Sequence, residues 1–97
     1  MTEIPIETEV MHTITHYEVV IGHAASRTRL MIERLGEIEA LSRLMVSAEL
    51  QKGFKALRDR SQLDKTFESV VVRYQHLFGT DVVKAAKWRL AHPFELL

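Results

Sequence analysis

The chain has no cysteine among its 97 residues, and it has only two prolines, four glycines and one tryptophan. Without cysteine there is no disulfide framework, no thiolate ligand for a metal ion and no cysteine nucleophile. This absence favours an intracellular protein and excludes the disulfide-rich secreted class.

Long apolar runs are also missing. No uninterrupted apolar stretch approaches the roughly 20 residues that a helix needs to span a bilayer. The acidic start of the chain, Met1 to Pro5, lacks the basic and apolar regions of a secretory signal. We therefore expect a soluble, cytoplasmic protein with no membrane partner.

Charge of one sign does not dominate, because 13 basic residues balance 13 acidic ones. A net charge of zero predicts neither a nucleic-acid partner nor an anionic ligand for the chain as a whole. The two signs are unevenly distributed, however. Residues 1–42 hold three basic and seven acidic side chains, and residues 43–97 hold ten and six. The C-terminal half is thus the one that is suited to binding an anionic partner.

Apolar residues recur at alternating spacings of four and three through the N-terminal half, as on one face of a long amphipathic helix. We call this set the seam; its members are Val10, Ile14, Tyr17, Ile21, Ala24, Thr28, Met31, Leu35, Ile38, Ser42 and Met45. Read as heptads, the seam predicts one helix over about 10–45 with a coiled-coil-like dimer contact. A length of 97 residues fits a single helical domain over 1–97.

Two features weaken the prediction of one long helix. Residues 13–21 are rich in β-branched and aromatic side chains, which favour strands, so a strand is the alternative there. We prefer helix because no second strand with a hairpin turn follows. Gly22 and Gly36 fall on the outward face, where each costs about 1 kcal/mol relative to alanine. Both are possible hinges.

The rest of the chain predicts three shorter helices. The apolar stripe changes face after Met45, which indicates a kink between residues 45 and 49, with Ser47 capping a segment that runs to about Arg60. Ser61 and Asp64 are candidate caps for a helix over 67–78. Gly79 is expected to end that helix in the left-handed conformation, and Thr80 to cap a last helix that runs to about Ala91. Residues 1–8 around Pro5 read as an extended arm, and residues 93–97 as an apolar tail. The predicted fold class is all-α.

Chemistry-bearing motifs are few. Glu9, His12 and His16 share one helix face and are a weak candidate for a divalent-metal site. The zinc-protease pattern requires Glu directly after the first His, and Thr13 occupies that position. The sequence holds no glycine-rich phosphate loop and no serine elbow, and no polar cluster falls at apolar positions. We expect no enzyme activity, no catalytic residue and no cofactor.

The last predicted helix carries a basic set beside the tryptophan, after a helix and a tight turn. That outline is shared by DNA-reading helix pairs, whose cationic side chains contact phosphates. The residues are Lys84, Lys87, Trp88 and Arg89, with Lys52, Lys55 and Arg58 on the preceding segment. A dimeric DNA-binding regulator is therefore the alternative function. If the helix instead only packs within the protein, Trp88 is expected to fill the core.

We favour a small interaction module, namely an adaptor, inhibitor or regulatory subunit that binds another protein as a homodimer. A helix of about 36 residues is about 54 Å long, and three short helices do not cover it unless they lie end to end. Part of the seam is therefore expected to meet a second chain. The predicted contact residues are Ile14, Tyr17, Ile21, Met31, Leu35, Ile38, Phe94, Leu96 and Leu97.

Overall fold

The computed structural model of the chain describes residues 4–46 and 51–95, and only the backbone of residues 51 and 52. Regular structure within these ranges is helical, which confirms the all-α prediction. The helices are α1 (Ile6–Ile21), α2 (Ser26–Leu35), α3 (Glu37–Met45), α4 (Gln51–Arg58), α5 (Phe67–Arg73) and α6 (Thr80–Ala91). Short 3₁₀ turns lie at Leu63–Lys65 and Gln75–Leu77.

The predicted single helix over 10–45 is wrong, because it is broken at both glycines. Gly22 ends α1 with a φ of 78° and a ψ of 14°, which is the left-handed conformation of a helix C-cap. Gly36 separates α2 from α3 with a φ of 81° and a ψ of 164°. Glycine adopts both conformations at little cost because it has no Cβ atom, so the helix ends at each of these residues.

Residues 13–21 lie wholly within α1, so the alternative strand is wrong. The expected arm over 1–8 is also too long, because α1 begins at Ile6 directly after Pro5. A proline fits at the start of a helix, where its missing N–H group would have no intrahelical acceptor. The hydroxyl of Tyr74 donates a hydrogen bond to the carbonyl of Ile4 and ties the chain before α1 to the core.

The breaks allow α1 to pack against α3, α4 and α5 instead of extending away from them. Both ends of the seam consequently enter one apolar core, whose buried members recur at helical spacing. That core consists of Ile6, Val10 and Ile14 from α1, Leu41, Leu44 and Met45 from α3, Phe67, Val70, Val71 and Tyr74 from α5 and its end, and Val82, Val83 and Ala86 from α6.

The C-terminal helices differ from prediction at their ends. The N-cap of α5 is Thr66, whose hydroxyl accepts the Ser69 N–H at 3.1 Å, and neither Ser61 nor Asp64 caps it. Gly79 is extended at a φ of −66° and is the N-cap of α6, so the predicted left-handed turn is wrong and Thr80 is the first helical residue. The predicted end of the last helix at Ala91 is confirmed.

The change of helix direction falls where the sequence placed it, since α3 ends at Met45. The predicted cap Ser47 lies outside the described residues. The helix α4 ends at Arg58, two residues before the predicted end. No helix in the described ranges has the length and apolar character required to cross a membrane.

Candidate functional site

A charged pair lies within the core between α5 and α6. The Arg89 guanidinium donates a hydrogen bond from Nη1 to Oε2 of Glu68 at 3.1 Å. Glu68 is 1 % exposed and Arg89 is 8 % exposed. Burial raises the pKa of the Glu68 carboxyl above its ordinary value, opposed by hydrogen bonds from its own backbone N–H and from Arg89. The expectation that no polar cluster is buried is therefore wrong.

The same geometry corrects the proposed role of Arg89 in binding phosphate, because its side chain points into the protein. A sequence signal existed: Arg89 follows Val82 by seven residues and Ala86 by three, and both of these are buried. Spacings of three and seven place residues on one helix face. Sequence reasoning missed this because arginine is rarely buried unless it is paired, and its partner lies 21 residues away.

The opposite face of α6 is open to solvent and holds Lys84, Lys87 and Trp88. Trp88 is 47 % exposed, and its ring stacks on that of His92 with the ring centroids 4.8 Å apart. The prediction that Trp88 fills the core is therefore wrong. Since Arg89 occupies the inward face, the tryptophan one residue earlier turns outward by about 100°.

The second basic segment approaches α6 at its C-terminal end. Arg58 donates a hydrogen bond from Nη1 to the Pro93 carbonyl at 2.9 Å, and its guanidinium lies 4.8 Å from the centroid of the Phe94 ring. Arg58 thereby fastens the chain beyond α6 to α4. Lys55 is half-buried, and the side chain of Lys52 lies outside the described residues.

The seam residues have different environments. Ile14 is only 1 % exposed and packs in the core of the monomer, so its predicted contact with a partner is wrong. Tyr17, Ile21 and Met31 are half-buried. Leu35 and Ile38, on either side of the break at Gly36, are 37 % and 40 % exposed. Of the apolar tail, Phe94 is 76 % exposed, and Leu96 and Leu97 lie outside the described residues.

The histidine pair on α1 makes contacts of other kinds. Nε2 of His16 is 2.8 Å from Oε1 of Gln62, and Oε2 of Glu9 accepts a hydrogen bond from Arg73 at 3.3 Å. His12 is exposed. Within residues 4–46 and 51–95, no three histidine or acidic side chains are arranged to hold a metal ion. The structure thus does not assemble Glu9, His12 and His16 into a metal site.

A cavity of about 200 Å³ lies among α1, α2, α3, α4 and α5. Its apolar wall consists of Leu44, Phe54, Leu57 and Phe67, and its polar lining includes Thr13, Tyr17, Arg27, Thr28, Thr66 and Glu68. Gly53 lets the Tyr17 ring lie close to α4, because a Cβ atom at residue 53 would lie only 3.1 Å from Cε1 of Tyr17. Sequence reasoning did not find the cavity, since its lining comes from five separate segments.

Comparison of the chain with protein-family models, curated proteins and solved structures gives no match. The all-α class and the geometry of these sites are therefore the basis for a functional proposal.

Proposed function

We propose that the protein is a small cytoplasmic interaction module, an adaptor, inhibitor or regulatory subunit without catalytic activity of its own, which forms a homodimer and binds another protein. The observation that carries the proposal is the exposure of the middle of the seam. The helix α2 contributes no fully buried residue, although it contains Leu30, Met31, Ile32 and Leu35. A helix with apolar residues and no fully buried one is a common contact surface for a second chain.

We call Met31, Leu35 and Ile38 the central patch. Met31 packs partly against the core, while Leu35 and Ile38 extend the apolar surface outward around Gly36. Full burial of an exposed aliphatic side chain is favourable by about 1.5–3 kcal/mol. Only 37 % of Leu35 and 40 % of Ile38 is still exposed, so burying the remainder between two chains is favourable by roughly 0.5–1 kcal/mol each. The central patch is therefore the proposed dimer contact.

The charges beside the central patch fit a second copy of the same chain. Arg34 and Glu37 lie on either side of Leu35 and Gly36 in sequence, and neither forms an ion pair within the described part of the chain. In a two-fold symmetric contact, each surface meets itself in the reverse direction. Arg34 of one chain then faces Glu37 of the other, which gives two opposite-charge contacts per dimer.

The experiment compares two substitutions on α2 by light scattering. Leu35→Glu is expected to lower the mass from twice 11.2 kDa to 11.2 kDa, because it places a charge in the apolar contact. Leu30→Glu is the matched control. Leu30 is 46 % exposed on the same helix, but it lies about 140° around the helix from Leu35.

Leu30→Glu should leave the dimer intact, and both variants should keep the helical circular dichroism of the parent. A parent protein that is monomeric at all concentrations would refute the dimer. Equal dissociation by both substitutions would place the contact elsewhere.

Phe94 is the proposed contact for a different protein, because Arg58 holds its ring at the surface where 76 % of the residue is exposed. A pull-down with the parent chain should retrieve a defined partner, and Phe94→Ser should lose it while the dimer persists. Retention of the partner by Phe94→Ser would remove the tail from the proposal.

The second candidate is a dimeric DNA-binding regulator, and the exposure of Trp88 beside Lys84 and Lys87 favours it. An aromatic ring beside two cations suits a nucleic-acid surface. Arg89 has no part in this surface, since it is paired in the core.

A further inference from the structure

We propose that the cavity among α1, α2, α3, α4 and α5 binds a small, neutral, mostly apolar molecule that carries one hydroxyl group, as a phenol does. This site is separate from the central patch, and it goes beyond the interaction role proposed above. Four properties of the lining support it: volume, apolar wall, a spare hydroxyl and charge balance.

The volume sets the size of the ligand. A cavity of about 200 Å³ exceeds the roughly 150 Å³ of an engineered apolar cavity that holds benzene. It is smaller than the roughly 300–1,000 Å³ of sites for drug-sized ligands. One six-membered ring with a single substituent therefore fits.

The wall sets the character of the ring. Leu44 of α3, Phe54 and Leu57 of α4 and Phe67 of α5 all line the cavity, and Phe54 and Leu57 are no more than 2 % exposed. Aromatic and aliphatic side chains of this kind favour an apolar ring, which gains dispersion contacts that an empty cavity lacks.

Tyr17 supplies the polar contact. The Tyr17 hydroxyl has no hydrogen-bond partner within the described residues, and burial raises the pKa of the Tyr17 side chain. Because Gly53 has no side chain, the Tyr17 ring can lie against α4 at the edge of the cavity. A hydroxyl on the ligand can both donate to and accept from the Tyr17 hydroxyl.

The charges favour a neutral ligand over an ionised one. Glu68 lines the cavity but is already paired with Arg89, and Arg27 at the cavity is exposed to solvent. An ion that entered would lose its hydration against a mostly apolar wall, at a large cost in free energy.

The experiment titrates the full chain with phenol, benzene and benzoate, and follows backbone amide signals by NMR. Phenol should bind saturably with a dissociation constant of about 1 mM, a reasonable affinity for seven heavy atoms. Signals of residues that line the cavity should shift, and benzoate should bind at least about tenfold more weakly.

Two variants separate the cavity from incidental binding. Thr28→Phe places a ring in the cavity and should weaken both phenol and benzene at least about tenfold, whereas Thr15→Phe, at an exposed position of α1 outside the lining, should not. Tyr17→Phe should weaken phenol about 3- to 10-fold and leave benzene unchanged, because it removes only the hydroxyl.

Circular dichroism confirms that each variant is folded before it is titrated. The site would be overturned if the amide chemical shifts changed linearly with phenol concentration and did not saturate. Saturable phenol binding that Thr28→Phe leaves unchanged would also overturn it. Benzoate binding more tightly than phenol would overturn the neutral ligand class. Equal weakening of phenol and benzene by Tyr17→Phe would overturn the hydroxyl contact.

Discussion

Arg89 of α6 and Glu68 of α5 form an ion pair inside the apolar core, with Nη1 of the arginine 3.1 Å from Oε2 of the glutamate. The pair lies beside Val82 and Ala86, both buried. Removing two charges from water costs several kcal/mol each, and their mutual attraction offsets this only while both are present. The pair therefore makes the packing of α5 against α6 depend on two specific residues.

Removing one member of the pair should be far more damaging than removing both. Arg89→Met leaves the buried Glu68 carboxylate without its cation and should lower the free energy of unfolding by about 3–5 kcal/mol. The double variant Glu68→Leu, Arg89→Met should recover most of that loss, because both groups become apolar. Denaturant unfolding measures each, and Lys87→Met on the exposed face of α6 is the control, expected within about 0.5 kcal/mol of the parent.

The loss of unfolding free energy caused by Arg89→Met should also depend on pH. Burial raises the pKa of Glu68 above its ordinary value of 4.5, so the folded state holds the proton more tightly than the unfolded state. The stabilisation that comes from this tighter binding of the proton is fully present below pH 4.5. It is lost as the pH rises through the pKa that Glu68 has in the folded state. Without Arg89 the pKa rises further, so the variant should lie closer to the parent in acid than at neutral pH. A deficit that is constant with pH would contradict the protonation of Glu68.

Glu18 and Arg29 predict the opposite pH dependence at the turn between α1 and α2. The Glu18 carboxylate accepts hydrogen bonds from Nε of Arg29 at 2.8 Å and from the Ala25 N–H at 2.7 Å. The hydrogen bond from Arg29, then that from Ala25, lowers the pKa of Glu18 from 4.5 to about 2. Its stabilisation is present above pH 4.5 and is lost as the pH falls toward 2.

Unfolding measured through the acid range should therefore show a loss of stability in the parent that is absent in Glu18→Gln. Glu33→Gln on the exposed part of α2 serves as the control and should retain the loss. Parallel curves for the parent and Glu18→Gln would show that the carboxylate has the same pKa in both states.

Alanine at the two helix breaks distinguishes the observed fold from a single long helix. In a continuous helix, Gly22→Ala and Gly36→Ala would each stabilise by about 1 kcal/mol. At φ values of 78° and 81° both should instead destabilise, by about 1–2 kcal/mol at Gly22. Among the described residues, no atom outside the adjoining chain lies within 4 Å of an added Cβ at either site, so the cost comes from the backbone conformation.

Asparagine gives a finer test, since it tolerates the left-handed angles of Gly22 but not the angles of Gly36. Gly22→Asn should be milder than Gly22→Ala, and Gly36→Asn should be as damaging as Gly36→Ala. Denaturant midpoints of the four variants measure this order. Stabilisation by either alanine would indicate a helix that continues through that residue.

The fluorescence of Trp88, the single tryptophan of the chain, tests the DNA-binding alternative. A residue that is 47 % exposed should emit at long wavelength and be quenched by iodide or acrylamide. If the exposed face of α6 binds DNA, a duplex should shift this emission and high salt should reverse the shift. Lys84→Gln and Lys87→Gln should each reduce the salt slope of binding by about one unit, and exposed Lys65→Gln should not. An emission that no duplex changes would leave the interaction module as the only candidate.

Several features of the fold follow from the sequence because they depend on neighbours along the chain. The spacing of Val10 and Ile14 predicted a helix in the region of α1, although not its bounds. Pro93, which disfavours helical geometry at the residue before it, predicted the end of α6 near Ala91. The change of apolar face after Met45 located the end of α3. A helical period is set within about two turns, so a single sequence is sufficient to read it.

Tertiary structure alone decided which faces point inward and where the helix breaks are tolerated. The sequence is equally consistent with a continuous helix that tolerates Gly22 and Gly36 and with a helix that ends at each of them. The packing of α1 against α3 and α5 is what favours the breaks. Arg89 is inside because Glu68, 21 residues earlier, compensates its charge, and Trp88 is outside as a consequence. Such choices depend on the summed free energy of contacts between distant segments, and local sequence patterns do not contain that sum.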